Sequence, residues 1–282
     1  MALAAGLVAI IAWSYLIKAD AQTPKAIALL GTADVHALAI SPTDPSVVFF
    51  GHHNGIMRSD DGGNTWRPLV AKQNFDAMGL AAIPGSPGVV YAAGHLLLFR
   101  TDNGGASWQP VKHDLPYDDI HGFAVDPADT KTLYAFVVGY GLFKSQDSGT
   151  SWTRISTALP GSVMALAVAV DDPRALYAGT MGGGLLRSND GGVTWRSASQ
   201  GIDSSMVMSL AVTPSVPGLV YAGTDKGLYR SVDGGASWSP TGFTRPAFAV
   251  AVGPSNPRLI LVVDSDTKVY RSQDGGATWG GG

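Results

Sequence analysis

The sequence contains no cysteine and no glutamate. Without cysteine there is no disulfide framework, no thiolate metal site and no cysteine nucleophile. The 22 acidic residues are all aspartates, and aspartate favours turns whereas glutamate favours helices. These two absences predict a chain in which carboxylates mainly build turns.

Charge is also scarce, because only 15% of the residues are charged and the net charge is -3. Such a chain has no basic field to attract nucleic acid, so a nucleic-acid partner is not expected. Glycine and proline are abundant, with 36 and 17 copies in 282 residues. A 45% hydrophobic chain of this length can form one large core, and its many turn formers predict short strands.

The N-terminus carries the only long apolar run. Residues 2–17 are uncharged and largely apolar, and residues 19–21, Ala-Asp-Ala, fit a signal-peptidase site. A spanning helix normally needs about 20 apolar residues, so cleavage is favoured over stable anchoring. We expect 1–21 to be a signal peptide or membrane anchor, and 22–282 to be periplasmic, secreted or anchored outside the cytoplasm; a buried N-terminal helix is the alternative.

Six copies of one eight-residue pattern follow, and we call each copy a box. The boxes are SDDGGNTW (59–66), TDNGGASW (101–108), SQDSGTSW (145–152), SNDGGVTW (188–195), SVDGGASW (231–238) and SQDGGATW (272–279). Their tryptophans lie 42, 44, 43, 43 and 41 residues apart and account for six of the seven in the chain. Agreement of this kind predicts a repeat architecture.

Each box has the composition of a fastened hairpin turn. A hydroxyl and an aspartate can bond the turn backbone, glycine supplies positive φ, and tryptophan anchors the turn in the core. Asn103 can accept the same bonds as aspartate, whereas Ser148 in place of glycine predicts a strained turn. The structural box residues are Asp61, Trp66, Asn103, Trp108, Asp147, Trp152, Asp190, Trp195, Asp233, Trp238, Asp274 and Trp279.

The segment before each box repeats as well, with an alanine-rich strand, a proline-rich turn and a second apolar strand. A third strand leads into the box and a fourth leaves it. Four antiparallel strands every ~43 residues are typical of a β-propeller blade. We therefore expect an all-β, six-bladed propeller in which residues 26–31 supply the missing strand of the last blade and close the ring.

These repeats resemble the Asp-box, or BNR-repeat, propellers of the sialidase and glycosyl-hydrolase-like superfamily, which include xyloglucanases, sortilin-type receptors and photosystem II assembly factors. With GHHNG (51–55) and DIHGFAV (119–125), the chain looks closest to exported bacterial propellers labelled glycosylhydrolase. The resemblance implies that the boxes are structural, so it indicates fold strongly and function weakly.

The histidines are predicted to gather on the face opposite the boxes, which we call the histidine face. His36 and His121 share one repeated position with Met78, Met164 and Met208, while His53 and His95 share another, with His52 beside it. Imidazole and thioether donors suit copper, and imidazole also suits zinc. A copper or zinc site is one interpretation; ordinary core filling is the alternative for the methionines.

The same face is predicted to bind a protein or carbohydrate ligand, and the protein is predicted to be a monomer. Surface-contact candidates are Phe75, Asp76, His113, Tyr117, Asp118, Asp119 and Arg245. A typical sialidase is not expected, because the chain lacks glutamate and only Arg245 can reach this face. We therefore favour a non-catalytic binding or assembly module. The alternative is a glycoside hydrolase that uses two of the aspartates Asp76, Asp118, Asp119, Asp203, Asp225 and Asp266.

Overall fold

Six four-stranded antiparallel sheets form the described part of the chain, which is residues 23–170, 172 and 174–280 of a computed structural model. The predicted signal segment, 1–21, lies outside these residues. Within them no α-helix occurs, and so none is long and apolar enough to cross a membrane. The predicted six-bladed propeller with four-stranded blades is confirmed.

The first three blades follow one another along the chain. Blade 1 comprises β2 (Ala37–Ile40), β3 (Val48–His52), β4 (Gly55–Ser59) and β5 (Arg67–Ala71). Blade 2 comprises β6 (Asp76–Ala82), β7 (Val90–His95), β8 (Leu97–Thr101) and β9 (Gln109–Pro110). Blade 3 comprises β10 (Ile120–Val125), β11 (Leu133–Val137), β12 (Gly141–Ser145) and β13 (Thr153–Ser156).

The other three blades repeat this order. Blade 4 comprises β14 (Val163–Val168), β15 (Leu176–Thr180), β16 (Leu185–Ser188) and β17 (Arg196–Ser197). Blade 5 comprises β18 (Val207–Val212), β19 (Val220–Thr224), β20 (Gly227–Ser231) and β21 (Ser239–Pro240). Blade 6 comprises β22 (Ala249–Val252), β23 (Ile260–Val263), β24 (Lys268–Ser272) and, as its fourth strand, β1 (Ala28–Leu29).

The boxes form tight turns fastened by their own side chains. In every box the first hydroxyl accepts the N–H of the glycine four residues on, at 2.8–2.9 Å, and donates to the carboxylate or amide two residues on. Asn103 Oδ1 accepts the Ser107 N–H at 2.9 Å, as the aspartates do in the other boxes. Ser148 takes a φ of 63°, in the left-handed region that favours glycine.

Boxes and proline-rich turns lie on one face. The Gly62 N–H of the first box donates to the Ser46 carbonyl of the proline-rich turn at 2.8 Å, and every other box makes the equivalent bond. The first strand of each blade is its inner strand. At this end the inner strands line a central cavity of about 190 Å³, with Leu38, Leu80 and Phe123 on its wall. The polar side chains near the central axis lie at the opposite end, where the inner strands begin.

Contacts between blades also use repeated positions. Arg58 of blade 1 donates to the Gly104 carbonyl in the box of blade 2 at 2.6 Å, and its guanidinium covers the Phe49 ring. Arg271 of blade 6 makes the corresponding bond to Gly62 of blade 1 at 3.4 Å. Arg58 and Arg271 each precede a box and lie on the box face, away from the histidines. Their hydrogen bonds link neighbouring blades.

Candidate functional site

Three aspartates occupy the same place in blades 1, 2 and 3. Asp34, Asp76 and Asp119 each lie at the start of an inner strand, two residues before His36, Met78 and His121 respectively. Residues two apart in an extended chain project to the same side. The sequence pattern Asp-x-His in blades 1 and 3 thus places a carboxylate beside an imidazole near the axis.

Two histidines from the turns between second and third strands join these aspartates into a chain. His53 approaches Asp34 through Nδ1, at 2.6 Å, and Asp76 of the next blade through Nε2, at 3.5 Å. His95 repeats the arrangement, with Nδ1 2.7 Å from Asp76 and Nε2 3.4 Å from Asp119. Carboxylate and imidazole therefore alternate across three blades.

The first triad consists of Asp34, His36 and His53. His36 Nε2 lies 2.7 Å from His53 Nδ1 and 3.8 Å from Asp34 Oδ1. One donor atom from each of the three residues falls within 4.8 Å of the other two. All three residues come from blade 1, so the register of β2 and β3 holds the triad together.

The second triad consists of His95, Asp119 and His121. Its three donor atoms form a nearly equilateral triangle, with His95 Nε2 to His121 Nε2 at 2.8 Å, His95 Nε2 to Asp119 Oδ1 at 3.4 Å and His121 Nε2 to Asp119 Oδ1 at 3.3 Å. Ligands ~2.1 Å from a shared zinc-like ion would lie ~3.0–3.4 Å apart at octahedral to tetrahedral angles. The two edges to Asp119 fall within this range, and the edge between the two imidazole nitrogens, at 2.8 Å, falls just below it and has the length of a hydrogen bond.

The hydrogen bonds within this cluster leave three of its polar atoms without a partner. Asp76 Oδ1, Asp119 Oδ1 and His121 Nδ1 are buried without a hydrogen-bond partner among the described residues. Asp76 is only 3% exposed, and its Oδ1 lies 3.2 Å from His36 Nε2, outside hydrogen-bonding geometry. Unpaired buried polar atoms are costly. Of the three, Asp119 Oδ1 faces the second triad, whereas His121 Nδ1 is the ring nitrogen opposite to the one that enters it.

Two groups of the cluster, Asp76 and His121, have shifted pKa values. Burial favours the protonated form of Asp76, but the approach of His36 and the charges of His53 and His95 outweigh it and lower its pKa. Burial lowers the pKa of His121, although Asp119 opposes that effect. The buried carboxylate is thus ionised and the buried imidazole neutral near pH 7, which are the forms that bind metal.

His52 lies outside the cluster that contains its neighbour His53. Its ring stacks on Phe50, with ring centroids 5.9 Å apart, and its Nδ1 accepts the Asn54 N–H at 3.3 Å. Burial lowers the pKa of this imidazole. Adjacent residues at the end of a strand project in opposite directions, so only His53 of the pair reaches the cluster.

The methionines occupy inner-strand positions without extending the two triads. Met78 is buried in β6, while Met164 and Met208 are half-buried in β14 and β18. The donor set that converges is therefore imidazole and carboxylate. Such donors suit Zn(II), Cu(II), Mn(II) or Fe(II) better than Cu(I), to which the thioethers had pointed.

The predicted contact residues around the site divide into buried and exposed groups. Phe75 lies in the core, 6% exposed, with its ring against Phe99, rather than on the surface. The His113 side chain is largely covered, and its Nδ1 accepts the Leu115 N–H at 3.3 Å. Tyr117 is 47% exposed.

Next to Tyr117 the face carries further exposed groups of blade 3. Tyr140 is 42% exposed, and the two tyrosine rings lie 6.4 Å apart. Asp118 has a half-exposed side chain 3.6 Å from His113 Nε2. These groups are available to a partner.

Arg245 forms its ion pairs outside the cluster. Its guanidinium donates to the buried carboxylate of Asp264 and to Asp266, at 2.8 and 2.9 Å. The Asp225 carboxylate accepts from Ser204, and Asp203 lies 3.4 Å from Lys226. These predicted candidates therefore have local partners in blades 5 and 6 and do not enter the cluster.

Asp34 was missed by the sequence reasoning, which compared blades at the histidine and methionine position. Moving that comparison two residues towards the N-terminus gives Asp34, Asp76 and Asp119 in successive blades. Asp76 and Asp119 were expected to form an open contact surface. Both instead turn towards the histidines, and Asp76 is almost fully buried.

Comparison with known proteins identifies the fold. No family model and no curated protein matches the sequence. Among solved structures, the chain is similar to the GH74 xyloglucanase from Xanthomonas campestris, with 19% identity and a TM-score of 0.62 over 91% of this chain and 46% of that one. The chain thus spans about half the length of that enzyme.

Two smaller propellers match almost along their whole length. YCF48 from Cyanidioschyzon merolae has 14% identity and a TM-score of 0.60, covering 89% of this chain and 99% of that chain. A structure of YCF48 bound to D1 peptide has 16% identity and a TM-score of 0.60, covering 90% and 96%. Identities this low establish a common propeller fold and leave the site to be judged from its own residues.

Proposed function

We propose that this chain is an extracytoplasmic binding or assembly module whose histidine face holds a divalent transition metal. One observation carries the proposal: two triads of two imidazoles and one carboxylate each lie on adjacent blades with Asp76 between them, and the buried Oδ1 atoms of Asp76 and Asp119 lack hydrogen-bond partners. An arrangement maintained only by hydrogen bonds would leave those atoms unsatisfied.

Zinc or Cu(II) is the metal we favour, since neither requires the thioethers. Two histidines and one carboxylate in each triad leave further coordination positions free. The side chains of His53 and His95 are 50% and 42% exposed, so the free positions open to solvent. A metal held there can accept a side chain from a partner protein.

The partner is proposed to be a protein segment that lies across blades 1 to 3. Tyr117 and Tyr140 form an exposed aromatic pair beside the second triad, and aromatic residues are enriched at protein interfaces. The similarity to YCF48 bound to D1 peptide supports a propeller of this size as a peptide-binding scaffold. The metal would position one polar side chain while the tyrosines contact apolar ones.

Glycoside hydrolysis is the second candidate, favoured by the similarity to GH74 enzymes. It needs one ionised carboxylate and one carboxylic acid ~5–9 Å apart. The lowered pKa of Asp76 suits the ionised role only. Release of reducing sugar from xyloglucan by the metal-free protein, lost in Asp76→Asn, would favour this reaction over the binding function.

Metal binding is tested by titrating the purified, metal-stripped protein with Zn(II) and Cu(II) in a calorimeter and by elemental analysis. We expect stoichiometric binding by wild type and its loss in the double variant His53→Ala/His95→Ala. His52→Ala is the matched control, since this neighbouring ring stacks on Phe50 outside both triads. Equal, weak binding by all three proteins would overturn the proposal.

A further inference from the structure

We propose that the second triad alone holds the metal ion, and that Asp76 is a positioning residue that keeps His95 Nε2 facing it. This inference rests on the metal-binding function proposed above. It adds the location of the ion and the role of the buried carboxylate between the triads, and its experiments separate a wrong location from a failure to bind metal.

Contacts within the first triad argue against an ion there. Asp34 Oδ1 accepts the His53 backbone N–H at 2.8 Å, and Asp34 Oδ2 lies 2.6 Å from His53 Nδ1. His36 Nε2 lies 2.7 Å from the same ring nitrogen. Both distances to His53 Nδ1 are no longer than hydrogen bonds and fall below the ~3.0–3.4 Å between ligands of one zinc-like ion. The first triad therefore pairs its polar atoms with one another.

The second triad instead contains a carboxylate oxygen that nothing pairs. Asp119 Oδ1 is buried without a hydrogen-bond partner, and it lies 3.4 Å from His95 Nε2 and 3.3 Å from His121 Nε2. These two distances suit ligands of one ion, and only the 2.8 Å between the two imidazole nitrogens has to widen when an ion is bound. An unpaired buried oxygen is costly, and a cation relieves that cost.

Asp76 lies on the other side of the His95 ring. Its Oδ2 is 2.7 Å from His95 Nδ1, the nitrogen opposite to the one in the triad, and its side chain is only 4% exposed. The lowered pKa of Asp76 means that this carboxylate is ionised near pH 7. Because an ionised carboxylate can only accept, the proton of a neutral His95 belongs on Nδ1, which leaves the Nε2 lone pair for the ion.

The backbone holds these groups in a row. Asp76 and His95 are partners in the ladder between β6 and β7, and His95 forms an isolated bridge to Asp119 of blade 3. The imidazole thus lies between one carboxylate that shares the proposed ion with it and one that orients it. Carboxylates that face the other nitrogen of a metal-binding histidine fix its tautomer and raise its basicity.

A proton on His95 Nδ1 also determines the tautomer of His121 in the metal-free protein. The two Nε2 atoms lie 2.8 Å apart, so one neutral ring donates to the other. Since His95 Nε2 carries no proton, His121 Nε2 is the donor, and its Nδ1, which has no hydrogen-bond partner among the described residues, carries none. On zinc binding, His121 must release the Nε2 proton to solvent and take one up at Nδ1. Its tautomer therefore reverses, while that of His95 stays.

Matched carboxylate variants locate the ion. Asp119→Asn and Asp34→Asn remove the same charge at the same position of blades 3 and 1. Calorimetric titration with Zn(II) should show stoichiometric binding by wild type and by Asp34→Asn, and its loss in Asp119→Asn.

Loss in folded Asp34→Asn, or retention in Asp119→Asn, would overturn this location while leaving the proposed metal binding intact. Absence of stoichiometric zinc in wild type would overturn both. If either variant fails to fold, as judged by circular dichroism, His36→Gln and His121→Gln make the same comparison, with loss expected in His121→Gln only.

Asp76→Asn tests the positioning role, because asparagine has the same shape but no charge. Its zinc affinity should fall ~10–100-fold, the usual effect of losing such a partner, with one ion still bound. Asp203→Asn, whose side chain is 89% exposed in blade 5, is the matched control and should bind zinc as wild type does. An unchanged affinity in Asp76→Asn would overturn the role of Asp76.

The His95 tautomer distinguishes positioning from a structural role. Long-range proton–nitrogen correlation spectra of protein with isotope-labelled histidine, recorded above the ordinary histidine pKa of ~6.5, report which ring nitrogen is protonated. In metal-free wild type we expect Nδ1–H on His95 and Nε2–H on His121, with zinc reversing His121 alone. In Asp76→Asn the population with Nε2–H on His95 should rise. Nε2–H on His95 in wild type, a measurement that needs no variant, would overturn the inference, as would an unchanged tautomer in folded Asp76→Asn.

Discussion

Ala28 pairs with Val269, which joins the first described strand of the chain to the last. The Ile27 N–H donates to the Val269 carbonyl at 2.8 Å, and the Leu30 N–H donates to Thr267 at 2.9 Å. Deleting 26–31 should therefore leave β24 as an unpaired edge and lower the unfolding temperature sharply. Thermal unfolding followed by circular dichroism measures this effect.

Leu29→Ser is the control for that deletion, because the Leu29 side chain is 66% exposed and the substitution retains the backbone pairing. It should change the unfolding temperature little. A thermally silent deletion would show that this strand does not stabilise the closed ring.

The box tryptophans should differ in their contribution to stability according to burial. Trp152 is 9% exposed and donates its indole N–H to the Gly149 carbonyl at 2.8 Å, while Trp195 is half-buried. Trp152→Ala should cost roughly 3–5 kcal/mol, as large aromatic truncations in cores do, and Trp195→Ala should cost less. Urea unfolding of both variants gives the two free energies.

Metal binding provides the control for these tryptophan variants. The boxes lie on the face opposite the histidines, so the fraction that remains folded should bind metal with wild-type affinity. Loss of metal binding without loss of stability would mean that the box and the metal site are coupled in a way that the separation of the two faces does not explain.

Acid should reduce the stability of the protein, in part through the box aspartates. Four of them have a pKa lowered from 3.8 to about 2: Asp61, Asp147, Asp190 and Asp233. The principal lowering cause is in each case the hydroxyl four residues on, as Thr194 is for Asp190. Because the folded pKa is depressed, their stabilisation is present above pH ~3.8 and is lost as the pH falls towards 2.

Asp190→Asn tests this dependence, since asparagine already serves at position 103. The variant should be less stable than wild type near pH 7, where Asp190 is ionised, but should lose less stability on acidification. Urea unfolding between pH 2 and pH 7 measures both quantities. An unchanged pH slope would exclude Asp190 as a source of acid sensitivity.

The repeat made the fold predictable in detail. Each box Trp marks the same point of a blade, so spacing fixed the blade number, and AIALLG (26–31) was left over to complete the last sheet. These are local patterns that recur six times. The face of the boxes followed from the alternation of strand direction.

The composition of the site was harder to predict, because it depends on distances between blades. Repetition placed His36, His53, His95 and His121 at one end, but it also placed three methionines there. Strand direction could not show that Asp34, Asp76 and Asp119 would lie beside these four histidines. Nor could it show that Asp76 would be buried between two triads.

Gly94 should prove essential to the site although it carries no side chain. A Cβ at this position would lie 1.8 Å from the Asp76 carbonyl oxygen and 2.8 Å from the Met78 nitrogen, both backbone atoms that cannot yield cheaply. Gly94→Ala must therefore displace β6 from β7 where Asp76 and His95 pair. We expect a loss of roughly 1–3 kcal/mol in stability, typical of overpacking, together with weaker metal binding.

Gly161→Ala is the matched control for that change, since no atom lies within 4 Å of the added Cβ and the residue has no positive φ. It should leave urea unfolding and zinc affinity unchanged. Because Asp76 is held by the backbone that Gly94 contacts, the Gly94→Ala protein should lose zinc affinity even under conditions in which it is fully folded. Wild-type zinc affinity in folded Gly94→Ala would show that the site tolerates a shift of β6, and would remove the close approach of these strands as the reason for glycine at this position.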